Sequence, residues 1–130
     1  MIVATDGSAA ARAALATAVV FPWPAGARAL AVVARRVPAL AGRPGYVVAA
    51  FDRGFSSAAA HARRTLARRW PAADAVIVDE RPVEAILHAA RRARARAIVV
   101  GSRGAGAFRR LLVGSVARGV VRDAPCAVLV

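Results

Sequence analysis

The sequence has no Lys, Asn or Gln, one cysteine, and only 5% aromatic residues in 130. A single Cys126 excludes an internal disulfide, and His61 and His88 lie too far apart for metal-ligand spacing. Acidic residues are scarce: seven Asp and Glu stand against twenty basic residues, all Arg, giving a formal charge of +13. The missing Lys, Asn and Gln fit a GC-rich coding sequence as well as selection for binding. The charge still attracts anions at low salt, whether nucleotides, nucleic acids or acidic partners, and does not choose among them. No long apolar run is present. The longest uncharged stretch lies between Arg12 and Arg28, contains Pro22 and Pro24, and is shorter than the ~20 residues of a spanning helix. No basic segment opens the chain, and Asp6 falls where a signal peptide would be apolar. The expectation is a soluble, cytoplasmic protein with no membrane contact.

What is present is aliphatic. Hydrophobic residues make up 58% and charged residues 21%, which excludes a disordered tail. Ala supplies more than a quarter of the chain, so the core must be built from Val, Leu, Ile and Ala. The length suits one domain, expected over 1–130. It also suffices to bury a core without a disulfide or metal staple.

The chain opens on the apolar run Ile2-Val3-Ala4-Thr5, broken by Asp6-Gly7-Ser8. That pattern predicts a buried parallel strand ending in a turn. Helix formers follow over 9–20, with Ser8 as N-cap and Pro22 and Pro24 as stops. A second strand is predicted over 28–34, then a loop from Arg35 to about Gly54, rich in Pro and Gly. A helix over about 56–70 and a strand over 75–78 come next. Pro82 suits a first helical turn, and Val83, Ile86, Leu87 and Ala90 form one apolar face. Ile98-Val99-Val100 reads as a fourth strand, Ser115 to about Arg122 as the last helix, and 126–130 as a fifth strand. Strands alternating with helices imply right-handed crossovers and a parallel sheet covered on both faces. The expected class is α/β, a doubly wound five-stranded sheet, with no internal repeat.

In such sheets ligands bind at the carboxyl ends of the strands. Three features fall there: Asp6-Gly7-Ser8 after strand one, Val32 and Val33 late in strand two, and Gly101 after strand four. The last begins Gly101-Ser102-Arg103-Gly104, then nine residues, then Gly114-Ser115. Glycines let backbone N–H groups approach a phosphate closely, and a helix starting at Ser115 favours negative charge at its N-terminus. Arg103, Arg109 and Arg110 add cations. The segment is not a Walker A loop, since no Gly-Lys-Ser/Thr follows, and Gly104-Ala105-Gly106 is a lone GxG.

The pattern Gly101-x2-Gly104-x9-Gly114-Ser115 resembles the nucleotide-binding signature of the universal stress protein family. The start Ile2 to Ser8 and the end Gly114-Ser115-Val116 through Ala124-Pro125-Cys126-Ala127-Val128-Leu129-Val130 are similar to that family's first strand and its last helix and strand. The resemblance runs over essentially the whole chain. It implies a strand order 3-2-1-4-5 and a nucleotide, usually ATP, across the point where the order switches. It implies that Asp6 lies near ribose and adenine, and that the Val32 backbone recognises the adenine edge. Gly101, Arg103 and Gly104 would wrap the phosphates, with Gly114, Ser115 and Val116 completing the cradle and a divalent cation such as Mg²⁺ alongside. The family commonly forms homodimers through its fifth strand, here 126–130, and a short apolar edge strand is a ready pairing surface. Two positions depart from the pattern. Arg96 replaces an acidic residue before strand four, and Gly119 sits inside the last helix, where it costs about 1 kcal/mol relative to Ala.

Plainer roles exist for each feature. Asp6 could serve only as a turn residue, the glycine loop as a surface connection, and Ser115 as an N-cap. His61 and His88 read as helix-surface residues, and Cys126 as a buried small hydrophobe. Arg91-Arg92-Ala93-Arg94-Ala95-Arg96 reads as a solvated helix end, because no aromatic residue interleaves for base stacking. Two functions follow. The favoured one is a nucleotide-binding regulatory protein of the stress response, taking ATP or else AMP or a cyclic nucleotide, with no catalytic residue and at most slow ATP hydrolysis, as no general base follows the loop closely. The alternative is a basic nucleic-acid-associated protein of the same fold without nucleotide binding.

Overall fold

The computed structural model describes residues 1–35, 45–104 and 113–130, with the backbone alone for 45–51. Its elements alternate in chain order: β1 Ile2–Ala4, α1 Ala9–Val20, β2 Leu30–Ala34, α2 Gly45–Ala67, β3 Asp74–Val78, α3 Pro82–Arg92, β4 Ala97–Val99, α4 Ser115–Asp123 and β5 Ala127–Leu129. The five strands form one sheet in the order β3-β2-β1-β4-β5, and every pairing is parallel. Register sets Ala4 opposite Val32 and Val3 opposite Val99, so β1 lies at the centre with β2 and β4 beside it.

The apolar runs become strands because both sheet faces are covered. On one face α3 and α4 pack Ala85, Ile86, Leu87, Ala90, Ala117 and Val120 onto Ile2, Val32 and Ile98. On the other, Leu15 and Ala18 of α1 and Ala62 and Leu66 of α2 pack onto Val3, Ala31 and Val99. Alanine lets the helices approach the sheet closely. Among the described residues no helix is long and apolar enough to cross a membrane.

Three expectations need correction. α2 begins at Gly45, not near Ser56, and runs through Gly54. A Cβ at Gly54 would meet nothing within 4 Å, so this glycine costs propensity alone, and burial of Ala58, Ala59, Ala62 and Leu66 outweighs it. The same helix ends at Ala67, three residues early, and Arg69 and Trp70 both donate to the Leu66 carbonyl in its closing turn. Cys126 lies just before β5 and is half-buried rather than buried. The rest of the expected Pro- and Gly-rich loop, 36–44, lies outside the described residues, as do Arg109 and Arg110.

The end of α3 has a geometry that composition did not signal. Arg94 adopts φ +46°. Its N–H donates to the Arg91 carbonyl and that of Ala95 to the Ala90 carbonyl. This is a Schellman cap with arginine where glycine is usual.

Candidate functional site

β1 ends at Ala4, and the chain turns at once. Thr5 is 6% exposed. Its N–H donates to the Val32 carbonyl at 3.0 Å, and its hydroxyl accepts the Gly7 N–H at 3.2 Å. Gly7 has φ +77°, the left-handed conformation this turn needs. Asp6 Oδ1 accepts the Ser8 N–H at 2.9 Å, and the Ser8 hydroxyl caps α1 by accepting the Ala11 N–H at 3.2 Å. The plain turn role expected for Asp6 is therefore real, and Asp6 also reaches further. A Cβ at Gly104 would stand 2.8 Å from Asp6 Oδ2, so the carboxylate lies directly on the glycine loop.

The loop after β4 is tied at its base, where Gly114 N–H donates to the Ser102 carbonyl at 2.7 Å. Its glycines have different causes. At Gly101 a Cβ would come within 2.9 Å of the Ala10 and Ala11 backbone, so that glycine lets β4 pass under the first turn of α1. Gly104 makes room for Asp6. Gly114 has φ −69° and ψ 159°, open to any residue, and among the described residues a Cβ there meets nothing closer than 3.4 Å. Among the described residues, neither backbone conformation nor packing demands glycine at 114. Gly114 is also the N-cap of α4 and, unlike Ser8 on α1, offers no side chain to the first N–H groups of its helix.

All eight residues expected at the site line one cleft of about 310 Å³: Asp6, Val32, Gly101, Arg103, Gly104, Gly114, Ser115 and Val116. It opens at the carboxyl edge of the sheet, where β1 and β4 diverge, the switch point of this topology. Its volume falls at the lower end of small-molecule sites. One end holds Arg103, Gly104, Gly114 and the α4 N-terminus. The other is apolar, walled by Ala4, Val32, Ala34, Pro82, Ile86 and Val100. Pro82 and Ile86 were recognised in the sequence only as helix start and core face. Their i, i+4 spacing at the first turn of α3, beside a carboxyl edge, was the signal that places them here.

Near the rim, Arg35 bridges the ends of β2 and β3. Its guanidinium contacts Asp79 at 2.7 Å and Asp52 of α2 at 3.1 Å. Hydrogen bonding to Arg35 holds the Asp79 carboxyl below its usual range. Burial pushes the Cys126 thiol up, at the far edge of the sheet. His88 is exposed and pairs with Glu80 at 2.8 Å, well off the cleft lining. Among the described residues no cluster of His, Cys, Asp and Glu side chains is grouped to hold a metal ion.

The model of the universal stress protein family matches residues 1–130. The chain belongs to the universal stress protein family. It is 38% identical to a universal stress protein of Thermus aquaticus over 130 residues, covering 99% of this chain and 95% of that one. A family structure from Burkholderia pseudomallei is 30% identical, covers 98% of this chain and 91% of its own, and superposes with a TM-score of 0.72. A universal stress protein in complex with cAMP is 26% identical, covers 99% and 92% respectively, and has a TM-score of 0.64.

Proposed function

We propose that this universal stress protein is a nucleotide-binding regulator that holds ATP in the cleft. The observation that carries the reading is Gly114, a glycine that neither its backbone nor packing among the described residues requires, at the start of a helix lining the cleft. A ligand needing that space and those N–H groups accounts for it. The two-ended lining suits a nucleotide. Adenine takes the apolar wall between Val32 and Ile86, with the second lone pair of the Val32 carbonyl toward its amino group. Ribose lies by Asp6. The phosphates take the Gly101–Gly104 backbone, Arg103, Gly114, Ser115 and Val116, with Mg²⁺ held mainly by the phosphates themselves. The relative that holds cAMP supports an adenine nucleotide as ligand class. β5 forms an outer edge of the sheet, and we place the homodimer contact there.

Calorimetric titration with ATP and Mg²⁺, on protein unfolded and refolded to remove bound nucleotide, tests this reading. Micromolar affinity is expected. Gly114→Asp sets a carboxylate among the phosphates and occupies the α4 N–H groups, and should weaken binding at least about 100-fold. The same change supplies a good N-cap, so stability should hold or rise. Unchanged ATP affinity in that variant removes the phosphate assignment.

A further inference from the structure

A parallel sheet sends every helix-to-strand connection to its amino edge, opposite the cleft. These connections are 21–29, 68–73, 93–96 and 124–126. Beside the acids Asp74, first in β3, and Asp123, last in α4 and paired with Arg122, they contain Arg28, Arg68, Arg69, Arg94 and Arg96. All five side chains belong to exposed residues. Four helix C-termini point the same way and contribute about −0.5 each, which leaves this edge positive. The carboxyl-edge connections carry Asp6, Asp79 and Glu80 beside seven arginines, so charge alone does not set the amino edge apart.

The same edge holds three aromatic rings from two distant segments. Phe21 and Trp23 stack with centroids 4.5 Å apart at 44°. Trp23 is held in place by its indole N–H, which donates to the Ala18 carbonyl at 2.7 Å. Arg69 stands 5.0 Å over the Trp70 ring, and donates to the Val19 carbonyl at 2.7 Å and to that of Phe21. Phe21 is 37% exposed, and both tryptophans are half-buried. The arginine run at 91–96 lacks neighbouring aromatics in the sequence; the fold supplies them at the same edge. From β3 to β4 is three strand spacings, about 14 Å.

We infer that the amino edge of the sheet binds single-stranded nucleic acid, with phosphates on the arginines and bases on Phe21, Trp23 and Trp70. Cations tracking a backbone beside fixed aromatic platforms are what sequence-tolerant single-strand binding requires. The site is separate from the cleft and rests on no part of the nucleotide reading.

Trp23 and Trp70 are the chain's two tryptophans, so intrinsic fluorescence reports this edge. The test titrates the full chain with a twelve-residue oligodeoxythymidine at 150 mM NaCl and across a salt series, with and without saturating ATP. Expected are quenching with micromolar Kd, a log–log salt slope of about −2 to −3.5, and no displacement by ATP. Phe21→Ala should weaken binding at least about 5-fold. Arg94→Gly and Arg96→Ser should each flatten the slope by about 0.7. Absence of quenching at 150 mM NaCl overturns the inference, as does binding indifferent to Phe21→Ala and to both arginine variants. Displacement by ATP would move the strand into the cleft. Equal competition by polyglutamate of matched charge would reduce the edge to a charge patch without base recognition. Either result overturns it too.

Discussion

Replacing Gly119 with alanine sets two physical rules against each other. Gly119 lies in the middle of α4, where helix propensity alone favours Gly119→Ala by about 1 kcal/mol. The structure reverses the sign. A Cβ at 119 would stand 2.8 Å from Val83 Cγ2 and 3.3 Å from Cγ1, across the α3–α4 contact. Valine is stiff at χ1 in a helix and cannot swing its methyls aside cheaply. Overpacking of this kind costs about 1–3 kcal/mol, so the net expectation is a loss of roughly 1 kcal/mol. Urea denaturation should show a lower midpoint at unchanged slope. Val83→Ala should make room for the new methyl, so the double variant should be more stable than the sum of the singles by about 1 kcal/mol. The displaced α4 also carries Ser115 and Val116, which line the cleft, so ATP affinity should fall in the single variant and recover in the double. A stabilised Gly119→Ala, or a cycle with no coupling, would refute the packing account.

Two further tests address the remaining unusual geometries. Arg94→Gly relieves a left-handed residue, φ +46°, in the cap of α3; it should stabilise by about 1 kcal/mol and raise Tm by a few degrees, read by thermal unfolding. Arg35 holds Asp79 below its ordinary pKa through a contact 44 residues apart in sequence. That stabilisation is present above the ordinary carboxylate range and is lost as pH falls through it toward the folded-state value. Between pH 5 and pH 3, roughly, Asp79→Asn should therefore lose Tm less steeply than the wild type. Asp123→Asn should change the profile little, because Arg122 is its neighbour in sequence and accompanies it in the unfolded chain as well. Identical slopes for Asp79→Asn and wild type would remove the Arg35 bridge from the account of acid stability.

The inner strands were legible because burial on both faces makes each a short apolar run, and Ile2–Ala4 is buried at every position; the edge strands β3 and β5 are apolar runs that stay partly exposed. The α1 boundaries were legible from Ser8 and Pro22, whose roles are local. The start of α2 was not. Gly45 and Gly54 read as breakers, yet α2 starts at the one and runs through the other. What kept Gly54 helical was the burial of Ala58, Ala62 and Leu66 against the sheet, which no local rule contains. For the site, the resemblance to the family named eight residues, and all eight line one cleft. The resemblance could not distinguish the glycines. Gly101 exists because Ala10 lies over it, Gly104 because Asp6 does, and Gly119 because Val83 does. Each contact joins elements far apart in the chain.

The distribution of charge follows from the same topology. Parallel strands joined by helices put all strand-to-helix turns at one edge and all helix-to-strand turns at the other. Helix N-termini then face the cleft, where partial positive charge and glycine suffice for an anion. Helix C-termini face the opposite edge, where arginines in the last turns of α2, α3 and α4 offset the dipoles. α3 needs only Arg91 and Arg92 in its last turn for that purpose. Arg94 and Arg96 lie beyond the helix, and Arg94 occupies a backbone conformation that glycine would adopt without strain. Dipole compensation alone would not select arginine at that position. A requirement for positive charge at the amino edge would.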